Sequence, residues 1–149
     1  MVKTISILGS TGSIGVNALE VISNLKNSFK INYLSTNKNI DLLISQIKEH
    51  KPKSVAVVDE LAAKKIKSAL DEMGIELLTG KVGLLDLSQR HDIDLVLNGL
   101  VGASGMQPTI NAIKAGVNVA LANKESLVMA GNIINKELEN SDAKLFPVD

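Results

Sequence analysis

Cysteine is absent from all 149 residues. That excludes disulfides, thiolate nucleophiles and Cys-ligated metals, and it fits a reducing compartment. Aromatic residues make up 2% of the chain, with no tryptophan, so a platform for stacking nucleic-acid bases is missing. Excess charge is missing too. Sixteen basic and sixteen acidic residues cancel, which leaves no electrostatic footprint for nucleic acid or an anionic membrane surface. No apolar run approaches the roughly 20 residues that span a bilayer. The N-terminus, Met1-Val2-Lys3-Thr4, passes straight into a strand pattern without a signal-peptide layout. These absences leave a cytoplasmic protein whose partners are neither nucleic acid nor membrane.

What is present is alternation. Short β-rich runs at Ile5–Leu8, Ile31–Leu34, Val55–Val58, Ile75–Leu78, Asp94–Leu97, Val117–Leu121 and Leu145–Val148 read as strands. Between them, Ile14, Ala18, Val21, Ile22 and Leu25 recur at the spacing of one helix face, as do Ile40, Leu43, Ile44 and Ile47. Leu61, Ile66, Ala69, Leu70 and Met73 do the same, and further helices are expected over about 81–91, 107–115 and 125–140. The strand–helix order predicts an α/β fold of Rossmann type: a doubly wound, mostly parallel sheet with helices on both faces. With 45% hydrophobic residues the chain can bury a core, and its length suits one domain over residues 1–149. The end at Phe146-Pro147-Val148-Asp149, directly after an apolar run, reads as a cut through a longer protein.

The segment Gly9-Ser10-Thr11-Gly12-Ser13-Ile14-Gly15 follows the first strand and opens the first helix. Glycine lets the chain turn tightly and bring its N–H groups close to a diphosphate, while the helix N-terminus supplies unpaired donors and partial positive charge. The spacing is GxxGxxG, unlike the commoner GxGxxG, so which glycine does which job stays open. A turn built only for strand–helix packing is the competing reading.

An NAD-specific domain places a carboxylate about 20 residues past the loop, on the ribose hydroxyls. Here that region is Ser35-Thr36-Asn37-Lys38-Asn39, with no carboxylate. Lys38 and the neighbouring donors suit a 2′-phosphate, which favours NADP(H) over NAD(H). The same residues also suit a plain polar turn with Asn39 as helix N-cap, and the two readings are compatible.

Three later strand ends carry suggestive residues. Asn98 to Gly105 is small and flexible enough for a flat nicotinamide ring, or it is a mobile loop before a helix with Pro108 in its first turn. Asn123 and Glu125 in Ala122-Asn123-Lys124-Glu125-Ser126 have the placement of an N-cap and a first-turn acid, whereas Lys124 opposes the helix dipole and is the better functional candidate. Asp149 closes a strand, where a carboxylate serves as helix cap or metal ligand. His50 and His91 lie in charged stretches and read as surface residues.

Ile7–Gly15, Leu121–Val128 and the terminal Pro147-Val148-Asp149, with the glycine- and alanine-rich stretch Gly99–Gly105, together closely resemble the 1-deoxy-D-xylulose 5-phosphate reductoisomerase family. The resemblance runs through all 149 residues and corresponds to the N-terminal, NADPH-binding part of that family's longer chain. It implies an enzyme of the non-mevalonate isoprenoid pathway that rearranges 1-deoxy-D-xylulose 5-phosphate and reduces the product with NADPH to 2-C-methyl-D-erythritol 4-phosphate, with Mg2+ or Mn2+. Carried over by position, Thr11, Gly12, Ser13 and Ile14 contact the NADPH diphosphate, and Asn37, Lys38 and Asn39 hold the adenosine ribose and its 2′-phosphate. Asn123 and Glu125 lie near the nicotinamide, Lys124 binds the phosphosugar substrate, and Asp149 is the first metal ligand. One departure is Asn37, where many members carry glycine. The resemblance further implies a homodimer for the full-length enzyme. The remaining metal ligands, the substrate-phosphate site and a lid are expected beyond residue 149, so the chain alone should bind cofactor without turnover. Two alternatives are the cofactor domain of another NADP-dependent reductase, such as one resembling aspartate-semialdehyde dehydrogenase, and a non-catalytic nucleotide-sensing module.

Overall fold

A computed structural model describes residues 1–25, 27–122 and 124–148. The elements alternate as expected: β1 Lys3–Leu8, α1 Ser13–Ser23, β2 Phe29–Thr36, α2 Ile40–His50, β3 Ser54–Val57, α3 Glu60–Met73 and β4 Glu76–Thr79. They continue with α4 Gly80–Ser88, β5 Leu95–Asn98, a 3₁₀ turn Gly102–Gly105, α5 Met106–Lys114, β6 Asn118–Leu121, α6 Lys124–Glu139 and β7 Leu145–Pro147.

The sheet runs β4-β3-β2-β1-β5-β6-β7, and every pairing between described strands is parallel. Parallel strands need crossovers, and here each crossover carries a helix. Helices α1, α2 and α3 cover one face, where Ile7, Leu34 and Val55 of the strands meet Leu19, Leu43 and Ile66. On the other face Leu8, Val96 and Val119 meet Leu84, Ile113 and Ile134 of α4, α5 and α6. Alternation of side chains along each strand assigns these two cores: Ile5 and Ile7 of β1 point one way and Leu8 the other. An irregularity in the β1–β2 register, where Ile5 pairs with Ile31 and Ser6 with Tyr33, skips Asn32. That extra residue lets Ile31 and Leu34 face the same core while Tyr33 turns to the opposite one.

The chain winds outward from β1 to β4, then α4 returns it to the far side of β1 as β5. The strand order therefore reverses between β1 and β5, and the crevice beyond their carboxyl ends is where open α/β sheets bind ligands.

Three local expectations are corrected. The helix expected over 81–91 stops at Ser88, because Arg90 leaves it to bridge Asp86 and Glu76. The stretch from Gly99 to Gly105 is not an open loop: part of it coils as the 3₁₀ turn, latched by Asn98. His50 is not a surface residue, since its side chain is only 10% exposed at the end of α2, where the last turn packs toward β2 and α1. The closing strand carries Pro147 at the sheet edge, where a missing N–H breaks no ladder.

Candidate functional site

The three glycines of the first loop have three different physical explanations. Gly9 adopts φ +78°, a left-handed conformation that turns the chain off β1 without a Cβ clash. A Cβ on Gly15 would stand 2.4 Å from the Gly9 carbonyl oxygen and 2.5 Å from Ser10 Cα, so only glycine lets α1 pack against its own loop. Gly12 has neither constraint. Its φ is −79°, and a Cβ there would make only an ordinary 3.6 Å contact with the Gly9 oxygen. Nothing in the fold demands glycine at that position; a ligand approaching the backbone would.

Gly12 is also the N-cap of α1 and offers that helix no side-chain acceptor. The neighbouring helices differ: Asn39 caps α2 by accepting from Leu42 N at 3.2 Å, and Asp59 caps α3 by accepting from Ala62 N at 2.9 Å. Like α4 and α5, the helix that opens onto the loop thus begins without the side-chain cap that α2 and α3 have, and its first turn carries the positive end of the helix dipole. Ser13 and Ile14 lie in that turn.

The loop is held from the side. The Ser10 hydroxyl donates to Gln46 Oε1 at 2.7 Å and to the Ser35 carbonyl at 3.1 Å, while Gln46 Nε2 donates back to the Ser10 carbonyl at 2.9 Å. Gly9 N donates to Ser35 Oγ at 2.9 Å, and the hydroxyls of Thr11 and Thr36 share a 2.6 Å hydrogen bond. Ser10 and Gln46 are buried, so these bonds fix the loop to β2 and α2 before any ligand arrives. The sequence reading missed Gln46, although a polar residue directly before Ile47 of an apolar stripe was the available signal.

Asn37, Lys38 and Asn39 form the exposed turn after β2, at the same carboxyl edge. Asn39 serves as the expected N-cap, and the Asn37 carbonyl accepts from Asp59 N at 3.0 Å. Beside this turn lies an open cleft of about 620 Å³, whose lining includes Val58, Leu84, Leu100 and Pro108 together with Asn37 and Lys81. Ile14 closes the gap to the next strand end: a Cβ on Gly99 would lie 3.3 Å from the Ile14 side chain. Asn98 then shapes that strand end, donating to the Gly105 carbonyl and to Thr109 Oγ1, both at 2.8 Å, and accepting from Leu100 N at 3.1 Å. Asn98 is fully buried and was read from sequence only as part of a flexible stretch.

At the end of β6, Lys124 and Glu125 open α6, and both are exposed. Glu125 reaches the glycine segment, with Oε2 3.6 Å from where a Gly102 Cβ would be. The loop, the β2 turn, the Gly99–Gly105 segment and the start of α6 all lie along the carboxyl edge. Asn123 and Asp149 are outside the described residues. Among the described residues no group of three or more His, Asp or Glu side chains stands ready for a metal ion. No described helix is long and apolar enough to cross a membrane.

A doubly wound parallel sheet with a glycine loop at its reversal point defines a Rossmann-type dinucleotide-binding unit. The comparisons narrow the class: residues 5–131 match the family model of 1-deoxy-D-xylulose 5-phosphate reductoisomerase, and the chain belongs to that family. It is 46% identical over 147 residues to the reductoisomerase of Chloroherpeton thalassium, and 47% over 147 residues to that of Caldanaerobacter subterraneus subsp. tengcongensis. Each alignment covers 99% of this chain and 38% of the relative, so the chain spans about two fifths of their length. Among solved structures, the reductoisomerase from Zymomonas mobilis in complex with NADPH superposes with TM-score 0.93 at 31% identity, covering 100% of this chain and 39% of that one. A DOX-P reductoisomerase in complex with magnesium gives TM-score 0.93 at 31% identity, over 100% of this chain and 38% of the other. A hyperthermophilic archaeal homoserine dehydrogenase in complex with NADPH, at TM-score 0.64 and 14% identity, shares the fold alone.

Proposed function

We propose that the chain is the NADPH-binding part of a 1-deoxy-D-xylulose 5-phosphate reductoisomerase, acting within the longer enzyme to form 2-C-methyl-D-erythritol 4-phosphate in the cytoplasm. The observation that carries this is Gly12, an N-cap glycine with ordinary φ and no tight Cβ contact, at a helix start without a side-chain cap at the sheet's reversal point. A diphosphate lying across Thr11, Gly12, Ser13 and Ile14 accepts from the first-turn N–H groups, and a Cβ on Gly12 would hold it off. The adenosine lies against the apolar cleft, with Asn37, Lys38 and Asn39 meeting its ribose and 2′-phosphate. NADPH supplies the hydride when bound. This chain's part is to orient it, with Glu125 and Gly102 beside the nicotinamide, Asn123 nearby, and Lys124 drawing in the phosphosugar. A Mg2+ or Mn2+ ion is assigned to Asp149, with its other ligands outside this chain, and the enzyme is assigned as a homodimer.

Titration with NADPH and NADH, read by nicotinamide fluorescence, tests the cofactor assignment. NADPH should bind at least tenfold more tightly, and Lys38→Glu should remove most of that preference with NADH affinity little changed. Equal affinity for the two dinucleotides in the unaltered chain sinks the reading.

A further inference from the structure

Lys81, the second residue of α4, lines the wide cleft that Ser35, Thr36 and Asn37 border from the β2 side. It is the one charged residue in that lining, no carboxylate accompanies it, and it makes no ion pair or hydrogen bond among the described residues. Lys38 stands in different company. It borders a separate hollow of about 510 Å³ that also holds Asp41, Asp59 and Lys65, so carboxylates share the space with its ammonium group. Nearby opposite charge reduces what a cation offers an incoming anion, and Lys81 has no such neighbour in its cleft.

The cleft lining sets the rest of the chemistry. Val58, Leu84, Leu100 and Pro108 give an apolar slot suited to a flat heterocycle, and a lone cation in the same lining suits an anionic group on the sugar attached to it. Asn37 reaches this cleft while Lys38 borders the other hollow, so the ribose edge at Asn37 has one lysine on each side. Resting on the NADPH reading above, we propose that Lys81 is a second specificity-determining residue, which meets the 2′-phosphate of the adenosine from this cleft while Lys38 approaches it from the neighbouring hollow.

Lys81→Met keeps the aliphatic stem and removes the charge, while Lys81→Arg keeps the charge. Each variant is titrated with NADPH, NADH, 2′,5′-ADP and 5′-AMP, with thermal melting as a check on folding. Lys81→Met should weaken NADPH and 2′,5′-ADP about five- to tenfold, leave NADH and 5′-AMP within about twofold, and lose that difference at high salt. Lys81→Arg should keep the preference. Unchanged NADPH affinity in Lys81→Met overturns the proposal. An equal loss for all four ligands also overturns it, since the lysine then rests on the ring and not on the phosphate. An unaltered chain without preference for NADPH removes the cofactor reading as a whole; a preference that survives Lys81→Met intact removes only the part given to Lys81.

Discussion

The two ends of the sheet solve the same problem in opposite ways. Parallel strands leave polar backbone and charged turns at both edges. At the amino edge these groups are paired with one another. The Tyr33 hydroxyl donates to Asp92 at 2.6 and 2.7 Å, and Lys53 adds a 3.4 Å ion pair to the same carboxylate. Arg90 bonds Asp86 and Glu76, both at 2.9 Å, and its guanidinium lies 5.1 Å from the Tyr33 ring centroid. Asp94 takes the Thr4 amide at 2.8 Å. At the carboxyl edge the internal bonds brace the loop, cap α2 and α3 and shape the end of β5, while the first turn of α1 has no side-chain cap and Lys81 makes no bond among the described residues. On the proposed NADPH reading, the largely paired edge holds the fold and the open edge receives the ligand.

The sharpest way to break this comparison is a pair of glycine variants within the one loop. Gly15→Ala forces a methyl to 2.4 Å from a backbone oxygen and should cost roughly 3 kcal/mol or more of stability, visible as a large fall in melting temperature. Gly12→Ala meets only a 3.6 Å contact, so its stability should change by less than about 1 kcal/mol while NADPH affinity falls at least tenfold. If Gly12→Ala binds normally, the open position has no ligand to explain it.

At the amino edge the expected outcome is reversed. Arg90→Met leaves Asp86, Glu76 and the Tyr33 face without their shared cation and should cost roughly 1–3 kcal/mol, with no change in dinucleotide affinity. A drop in affinity in the folded variant would show that the two edges are not independent.

The smallest effect is a pH profile. Hydrogen bonds from Ser54 and then Arg90 hold Glu76 below the ordinary glutamate range. Burial alone would raise Asp92, but its bonds from Tyr33 and Lys53 outweigh that and hold it low, and the Thr4 amide and hydroxyl do the same for Asp94. A lowered folded pKa gives stability that is fully present above the unfolded value, near pH 4, and is lost as pH falls through the folded one. Burial, then the Asp92 bond, raises Tyr33, so its contribution is present below about pH 10 and is lost above it. Melting temperature should therefore decline toward both acid and strong alkali. Arg90→Met should flatten the acid limb through Glu76.

Most of the architecture was legible because period and punctuation sit in adjacent residues. The alternation of strand and helix, the loop from Gly9 to Gly15, the Asn39 cap and Pro108 in the first turn of α5 all follow from local spacing. What was not legible depends on residues far apart in the chain. Gln46 meets Ser10 only once α2 has folded over β2, and Asn98 reads as a loop residue until Gly105 and Thr109 close around it. The end of α4 is hidden from local spacing for the same reason, since Glu76, which draws Arg90 away, belongs to β4. The three glycines differ in what surrounds the place of each missing Cβ, which only the folded chain supplies.

The Ser10–Gln46 bonds reach further than the loop they brace. Gln46 belongs to α2, and α2 starts directly after Asn39, so the glycine loop and the Asn37–Asn39 turn are anchored to one rigid rod. Such an anchor works as a ruler. On the proposed NADPH reading it sets the span between the two phosphate-reading positions in advance, so that a dinucleotide is selected by the distance between its phosphates as well as by their charge.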